Sequence, residues 1–295
     1  MSKLGLSWKK RRFEWLLSGP SILWLIAFFA IPTLLIFALA FKPATINGGI
    51  GPGWTLETWF RLGNPSYPAI LWRTVLLSGS CTIACLGLGV PVAYWIARLP
   101  KRIRHWALIL IILPFWTNFL IRIFAWRMLL HPDGLVKQVL VWMRLAEVND
   151  QLLYNQWAIL LVLVYTYLPF AILPLYAASE KFDFGLLDAA RDLGATRWEA
   201  FRKIFIPGIR VGIFTAFMIV FIPALGSYAI PEIVGGPTSE MIGNKIAQRV
   251  FAERSLPDAS ALSAVLAIGI LLPLLMFFWL RKRSEGTVRV EGGGL

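Results

Sequence analysis

Long runs of apolar residues alternate with short charged segments along the whole chain. A bilayer core about 30 Å thick needs roughly 20 apolar residues of helix. The runs are apolar throughout and lack the every-second-residue alternation of membrane strands, so they predict helices. The six predicted spans are Trp15–Phe41, Thr74–Ala97, Trp106–Ile121 with a continuation past Arg122 to about Leu130, Leu152–Ser179, Val211–Pro231 and Ala259–Leu280.

The first run has one competing interpretation, a cleaved signal peptide. It follows the basic residues Lys9–Arg12, and Ala38–Ala40 has the small-residue pattern of a cleavage site. However, the apolar stretch is much longer than the about 7–15 residues of a signal-peptide core. We therefore interpret it as an uncleaved first membrane helix, with cleavage as the alternative.

Composition narrows the class of protein. Of the 295 residues, 58% are hydrophobic and only 15% are charged, and the mean hydropathy is +0.68. An ordinary soluble domain carries roughly 25% charged residues. These values exclude a disordered chain, a soluble nucleic-acid-binding domain and a small disulfide-stapled domain. The sequence predicts an all-α polytopic membrane protein in a lipid bilayer, and no nucleic-acid partner.

The net charge of +13 predicts the orientation of this protein. With the N-terminus inside, most of the 29 lysines and arginines fall on the inner side, whereas the acidic residues divide evenly. Positive residues are enriched on the cytoplasmic side of membrane proteins, so both termini are predicted to be cytoplasmic. The predicted inner segments are 1–14, 98–105, 180–210 and 281–295.

The chain offers little catalytic or metal-binding chemistry. It contains no phosphate-binding G-x4-G-K-[ST] sequence and no His/Cys cluster with metal spacing, so no cofactor or metal is expected. His105 and His131 lie in basic or loop contexts. Cys81 and Cys85 are one helical turn apart in an apolar span, where small residues favour helix packing over redox chemistry.

The third inner segment has helix signals of its own. Asp183 is predicted to begin a short helix that ends near Leu193, and Gly194 suits the next position, where φ must be positive. Thr196 and Glu199 have the spacing of a capping box, which starts a second helix. The segment is therefore predicted to form a helix–turn–helix.

The second of these helices has an apolar face and a basic face, and Pro207 is expected to end it before the fifth span. The apolar residues are Trp198, Phe201, Ile204 and Phe205, and the basic ones are Arg197, Arg202 and Lys203. Such a helix can lie on lipid headgroups, connect two spans, or insert into a cytoplasmic partner. The residues alone leave all three open.

The same segment carries a motif of fixed spacing. Its residues are Asp188, Ala189 and Ala190, then Gly194 after three others, then Ile204, Ile206 and Pro207 after nine more. This resembles the EAA motif of ABC-importer permeases, E-A-A-x3-G-x9-I-x-L-P. The spacing matches at every step, and the departures are Asp188 for Glu and Ile206 for Leu.

The resemblance implies a type I ABC-importer permease fold in a bacterial inner membrane. It implies an accessory region 1–72, a permease domain 73–280 with a coupling loop 180–207, and a cytoplasmic tail 281–295. The implied partners are a dimer of separate ATP-binding subunits, a second permease that is either a copy or a related but different chain, and a solute-binding protein outside. The implied coupling residues are Asp188, Ala189, Ala190, Gly194, Trp198, Phe201, Ile204 and Pro207, with Trp198 and Phe201 as anchors and Asp188 paired with a basic residue of the ATPase.

A second stretch, 222–244, resembles the fifth helix and outer loop of spermidine/putrescine permeases. Its matching residues are Ile222–Gly226, Ile230–Glu232, Gly235–Pro237 and Met241–Asn244. The resemblance implies a polyamine as the solute, although the six spans offer it no carboxylate. Glu232, just past the fifth span, and Asp133, in an outer loop, are the acids nearest a path. Aromatic faces can also hold ammonium groups, which adds Trp116, Tyr165, Tyr167 and Tyr228 to Glu232 as candidate path residues. Ordinary helix packing or an interfacial aromatic belt is the better explanation for any single one of the aromatic residues.

Three alternatives remain at this point. The same machinery could import an amino-acid-derived or phosphonate compound. A secondary transporter or channel working alone would need ion-coupling groups at the midplane, which the spans lack. A membrane enzyme would need a nucleophile–base constellation, and the sequence shows none.

Overall fold

The computed structural model describes residues 18–45, 49–145, 147 and 150–271, and these are almost entirely helical. Apart from one isolated bridge between Ala44 and Ile50, no strand pairing occurs in these ranges. The helices are α1 Ser18–Leu39, α2 Glu57–Arg61, α3 Ser66–Arg98, α4 Lys101–Ile112, α5 Phe119–Leu130, α6 Leu135–Trp142, α7 Gln156–Glu180, α8 Gly185–Asp192, α9 Arg197–Gly208, α10 Arg210–Leu225, α11 Ala229–Val234, α12 Ile242–Ala247 and α13 Leu256–Leu271.

The chain forms two compact units. The larger is Pro65–Lys245, and the smaller combines the described parts of Met1–Asn64 and Ile246–Leu295. The predicted termini 1–14 and 281–295, and the last part of the sixth predicted span, lie outside the described residues.

The larger unit is built around α7, which packs along both α3 and α10. Small residues allow these helices to approach closely. A Cβ atom at Gly212 of α10 would collide with Ala178 of α7, and one at Gly89 of α3 would come within 3.0 Å of Leu175. Close packing through small side chains is how membrane helices associate when lipid removes the hydrophobic driving force.

The two cysteines belong to this packing, as predicted. Both are fully buried and unoxidised, and their sulfur atoms lie 4.0 Å apart. The Cys85 sulfur lies 3.7 Å from the Val164 carbonyl oxygen, so this face of α3 is covered by α7.

Three described helices are long and apolar enough to cross a membrane: α1, α3 and α7. Two bent helix pairs raise the number to five if each pair forms one span. The described part of the sixth predicted span is α13, which begins at Leu256 rather than Ala259. The prediction of six spans therefore stands as a prediction.

The third predicted span consists of two helical pieces joined at a bend rather than of one continuous helix. α4 continues as a 3₁₀ turn, Leu113–Trp116, and α5 begins at Phe119, with a bend of 88° between the two helical pieces. Asn118 caps α5, because its side-chain oxygen accepts the Leu120 backbone N–H at 2.8 Å. Arg122, in the first turn of α5, stacks its guanidinium 4.6 Å above the ring of Phe115.

The fifth predicted span is also shorter than expected. α10 ends at Leu225 rather than continuing to Pro231, and a turn closed by Ser227 N–H and the Ala224 carbonyl (3.2 Å) follows it. Pro231 instead lies inside the separate short helix α11.

The smaller unit joins segments distant in sequence. Arg61 pairs with Asp258 at 3.2 Å, and the Gly49 N–H donates to the Arg254 carbonyl at 3.0 Å. By contrast, no residue in the most apolar stretch of α1 is buried within this chain. Such a helix needs lipid or another protein around it.

Candidate functional site

The turn of the 180–208 segment has the geometry that the sequence predicts. Gly194 has φ of +93°. The Ala195 N–H donates to the Ala190 carbonyl (3.0 Å), and the Gly194 N–H donates to the Arg191 carbonyl (2.9 Å). These two bonds are the Schellman motif that ends a helix, so α8 stops where the glycine requires it to stop.

The two short helices begin through side-chain caps. The Asp183 carboxylate accepts the Gly185 N–H at 2.9 Å at the start of α8. At the start of α9, Thr196 and Glu199 form the predicted capping box, with bonds of 3.2 and 3.0 Å. The backbone N–H of Thr196 and the ammonium of Lys203 stabilise the ionised Glu199, and its pKa falls to about 2.

Pro207 does not end the second helix, so that prediction was wrong. α9 runs through Pro207 to Gly208, and α10 begins at Arg210 after a bend of 70°. A proline removes one helical hydrogen bond but leaves the chain in helical φ, so one more residue follows. At Gly208 any Cβ atom would collide with the ring of Phe182. The bend therefore lies beside Gly208, where the Phe182 ring occupies the space that a side chain would need.

Five aromatic side chains attach this segment to α3; we call them the aromatic cluster. They are Tyr94, Phe182, Phe184, Phe201 and Phe205. The Tyr94 ring lies 4.8 Å from Phe205, 5.3 Å from Phe201 and 5.9 Å from Phe184, each in an edge-on arrangement. Such pairs attract beyond simple burial. The 180–208 segment is therefore fixed to a helix that is not its neighbour in sequence.

Arginines join the same helix ends. Arg98, at the last turn of α3, donates to the Tyr94 hydroxyl at 2.6 Å. Arg104 of α4 pairs with Glu180 at the end of α7 (2.8 Å) and donates to the carbonyls of Ala97 and Leu99. We call this part of the larger unit the basic end. There the ends of α3 and α7 and the start of α4 are linked by side chains.

The outward surface of the segment is apolar at three places. Leu193 is 90% exposed, Trp198 66% and Leu186 51%. Trp198 was predicted to be an anchor, whereas Leu193 and Leu186 were missed. The sequence feature that could have identified Leu193 is its position directly before Gly194. A residue at that position lies at the edge of the turn that ends the helix.

The other predicted coupling residues divide between surface and interior. Asp188 is exposed and accepts only a long bond, 3.5 Å, from Arg191. Ala189 and Pro207 are also exposed, and Ala190 is buried. Phe201 and Ile204 are half-buried against the core, so the structure places them within the segment's packing rather than on its outer surface.

At the opposite end of the larger unit, residues 226–244 combine buried apolar side chains (Ile230, Val234 and Met241) with close backbone contacts. A Cβ atom at Gly235, Gly236 or Gly243 would collide with a backbone carbonyl oxygen. The Ile242 N–H donates to the Thr74 hydroxyl at 2.9 Å. Only glycine permits this approach of one backbone to another.

At this opposite end, the side-chain amide of Asn244 positions the carboxylate of Glu232. The Asn244 side-chain amide donates to Glu232 at 2.6 Å and to the Tyr228 carbonyl at 3.4 Å. Its oxygen accepts the Met241 N–H at 3.2 Å. Glu232 is otherwise exposed. Asn244 was not predicted as a site residue, although it belongs to the stretch that resembles spermidine/putrescine permeases.

The predicted path residues are only partly brought together. Asn244 bonds both the Glu232 carboxylate and the backbone carbonyl of Tyr228. Tyr167 donates its hydroxyl to the Pro223 carbonyl at 3.3 Å, and Tyr165 packs edge-on against Trp126 at 5.2 Å. Trp116 is 80% exposed, in the turn before α5. The part of the chain that the structure describes holds no group of three His, Cys, Asp or Glu side chains suited to a metal.

Known proteins share this architecture and sequence. The family profile "Binding-protein-dependent transport system inner membrane component" matches residues 89–290. The chain therefore belongs to this family of inner-membrane permeases of ABC importers, a transport component and not an enzyme.

The chain is also similar to individual proteins over most of its length. The chain is 36% identical to "Spermidine/putrescine transport system permease protein PotB" of Haemophilus influenzae, over 91% of this chain and 93% of that protein. The Escherichia coli protein of the same name is 35% identical over 91% and 98%. A crystal structure of a bacterial ABC transporter that imports alginate matches with a TM-score of 0.71, covering 94% of this chain and 98% of that one; at 21% identity this shows the fold.

Proposed function

We propose that this permease imports a polyamine of the spermidine and putrescine class. The observation that carries the proposal is similarity over nine-tenths of the chain to permeases named for these solutes. Glu232 supports it chemically. A polycation leaving water for a low-dielectric path needs a carboxylate, and this one is exposed and already oriented.

The amide of Asn244 leaves part of the Glu232 carboxylate free. The bond from Asn244 reaches one carboxylate oxygen, so the second remains for an ammonium group. The Tyr228 side chain, which is 44% exposed, adds an aromatic face nearby. In this proposal Tyr165, Tyr167 and Trp116 line other parts of the path.

The energy for transport comes, in the same proposal, from ATP hydrolysed by a separate subunit. The coupling loop 180–207 docks on that subunit through the exposed Leu193 and Trp198. Large apolar side chains that become desolvated dominate the energetics of most interfaces. Asp188, exposed and only weakly engaged by Arg191, supplies a charge for a basic residue of the ATPase.

The aromatic cluster then carries the movement from the loop into the membrane. Tyr94 connects the loop to α3, and the Arg104–Glu180 pair connects α7 to the end of α3. Tightly packed groups move as units and do not deform continuously. Movement of the loop is therefore expected to move α3 and α7 together.

The remaining partners and the topology belong to the same proposal. The basic end faces the cytoplasm, because arginine and lysine are favoured there. The chain pairs with a second, related permease and receives its solute from a binding protein on the other side; one alginate importer was solved with its periplasmic protein bound. The domain boundaries 1–72, 73–280 and 281–295 stay part of this prediction.

Uptake by the reconstituted importer tests the substrate class. Vesicles containing this permease, its partner permease, its ATPase subunits and its binding protein should accumulate labelled spermidine or putrescine only with ATP. An excess of unlabelled polyamine should compete, and a phosphonate or a neutral amino-acid derivative should not. Accumulation of one of those compounds in place of polyamine would disprove the proposed solute, and uptake by the permease alone without ATP would disprove the proposed mechanism.

A further inference from the structure

A groove lies between α3 and the start of α7, away from the basic end, and its lining includes none of the residues proposed for transport. Its volume is about 500 Å³. The residues that define it are Trp72, Arg73 and Leu76 of α3 and Gln156, Trp157 and Leu160 of α7. Trp72 and Trp157 are 65% and 77% exposed, so the groove opens outward from the chain.

The groove changes chemistry along its length. Gln156 is the first residue of α7 and Arg73 is the eighth residue of α3, and each is next to one of the tryptophans in sequence. Leu76 and Leu160 lie about one helical turn, roughly 5 Å, further along the same faces. α3 and α7 both run from this end toward the basic end. The change from polar to aliphatic side chains therefore has the same direction on both helices. Apart from Ser80, one turn beyond Leu76, the groove is therefore polar and aromatic at its mouth and aliphatic beyond it.

The mouth favours a negative charge. Within the described residues, no carboxylate pairs with Arg73. The first turn of α7 contains no acidic residue, and the positive end of the helix dipole lies beside Gln156. A basic group next to tryptophans and above an aliphatic groove matches the interfacial layer of a membrane protein.

We propose that this groove binds one anionic phospholipid. The phosphate of the headgroup lies against the Arg73 guanidinium and the Gln156 amide, and an acyl chain lies along Leu76 and Leu160. A free anion would fit the mouth but would leave the aliphatic part uncovered. An apolar helix from another chain would cover the aliphatic part but would leave Arg73 unpaired in a low-dielectric setting, which is costly. Only an amphiphile satisfies both parts.

The test uses the purified full chain in phosphatidylcholine vesicles containing a small fraction of spin-labelled lipid. The measured quantity is the protein-bound fraction of labelled phosphatidylglycerol relative to labelled phosphatidylcholine. The unmodified chain should prefer phosphatidylglycerol, and Arg73→Gln should lower that preference about fivefold, the effect expected for one interfacial basic residue. Arg144→Gln, which removes an exposed arginine outside the groove, should leave the preference unchanged.

A second variant tests the aliphatic part. Leu160→Trp fills the groove without changing charge and should also lower bound phosphatidylglycerol, with helix content by circular dichroism confirming the fold. Four results would overturn the proposal: an unchanged preference in Arg73→Gln, an equal loss in Arg144→Gln, loss of bound lipid on adding inorganic phosphate at constant ionic strength, or expulsion of the label when the importer assembles. The last would mean that a partner helix occupies the groove.

Discussion

The two ends of the larger unit are held together by different means. At the basic end, aromatic rings and arginines from α3, α4, α9 and the connection between α7 and α8 pack side chain against side chain around Tyr94 and Arg104. At the opposite end, glycines let one backbone touch another, and Asn244 positions a carboxylate. At the basic end the rings join segments distant in sequence, whereas at the opposite end close backbone contacts accompany a carboxylate that stays exposed. The first arrangement belongs to the end proposed to contact the ATPase, and the second to the end proposed to contact the solute.

The largest effect is expected at the opposite end, where a side chain has no space. Gly243→Val puts a Cβ atom against the Ser227 carbonyl oxygen, and backbone cannot move aside as a side chain can. We expect a loss of about 3 kcal/mol or more in stability, at the upper end for overpacked sites. The measurement is the thermal unfolding midpoint in detergent. Gly87→Ala, with nothing within 4 Å of its Cβ, is the control and should not lower it.

The next effect should separate ATP hydrolysis from transport at the basic end. Tyr94→Ala removes the ring that joins the loop to α3, at a cost of about 2–3 kcal/mol for a large aromatic side chain lost from a packed site. The assembled importer should still hydrolyse ATP but should move about tenfold less solute per ATP, the factor for about 1.4 kcal/mol.

Two variants control this experiment. Trp95→Ala removes an adjacent, 63% exposed ring and should leave the ratio of solute to ATP unchanged. Tyr94→Phe keeps the ring and should retain most of the coupling. If Tyr94→Ala lowers hydrolysis and transport in parallel, the cluster is only a structural core and the transmission proposal is wrong.

A smaller effect is expected from the candidate solute site. Glu232→Gln keeps the contact with Asn244 but removes the charge, and the half-saturating polyamine concentration should rise about tenfold, as for the loss of one charge-assisted hydrogen bond. The readout is spermidine uptake by the reconstituted importer. Glu147→Gln, at another exposed carboxylate, should change nothing. An unaffected Glu232→Gln importer would remove this residue from the path.

The smallest effect concerns pH and the capping box. The pKa of Glu199 is about 2 in the folded loop, against an ordinary value of 4.5. A lowered pKa means that the carboxylate stabilises α9 above pH 4.5 and that this contribution disappears as the pH falls from 4.5 toward 2. Amide hydrogen exchange in α9, corrected for intrinsic pH effects, should therefore accelerate across this window.

Glu199→Gln should remove that acceleration and should lower protection in α9 already at neutral pH, because its uncharged side chain corresponds to the protonated carboxylate. Glu180→Gln, at a carboxylate outside the capping box, should retain the acceleration. An identical pH profile in Glu199→Gln and the unmodified chain would contradict the assignment.

The sequence predicts features set by near neighbours. Gly194 and the Thr196–Glu199 box have local physical causes, so spacing alone locates the helix ends. The break before Asn118 was missed because an apolar run gives no indication of which polar residue within it will cap a helix. The contact of the Phe182 ring with Gly208, where α9 ends, joins two positions that the local sequence does not connect.

Contacts between distant positions could not be predicted. Tyr94 lies about a hundred residues from Phe201 and Phe205, and nothing in its own helix distinguishes it from Trp95 beside it. Asn244 likewise acquires its role only when the chain returns to Glu232. The family was recognisable from motif spacing, whereas these partnerships required the fold.

Docking of the coupling loop on an ATPase is the central claim, and co-purification tests it most directly. Detergent-solubilised chain should retain the ATPase subunit. Leu193→Asp combined with Trp198→Asp, or Asp188→Lys, should abolish retention. Leu145→Asp, at a 69% exposed leucine outside the loop, should leave it intact. Full retention of the ATPase by both loop variants would contradict the account.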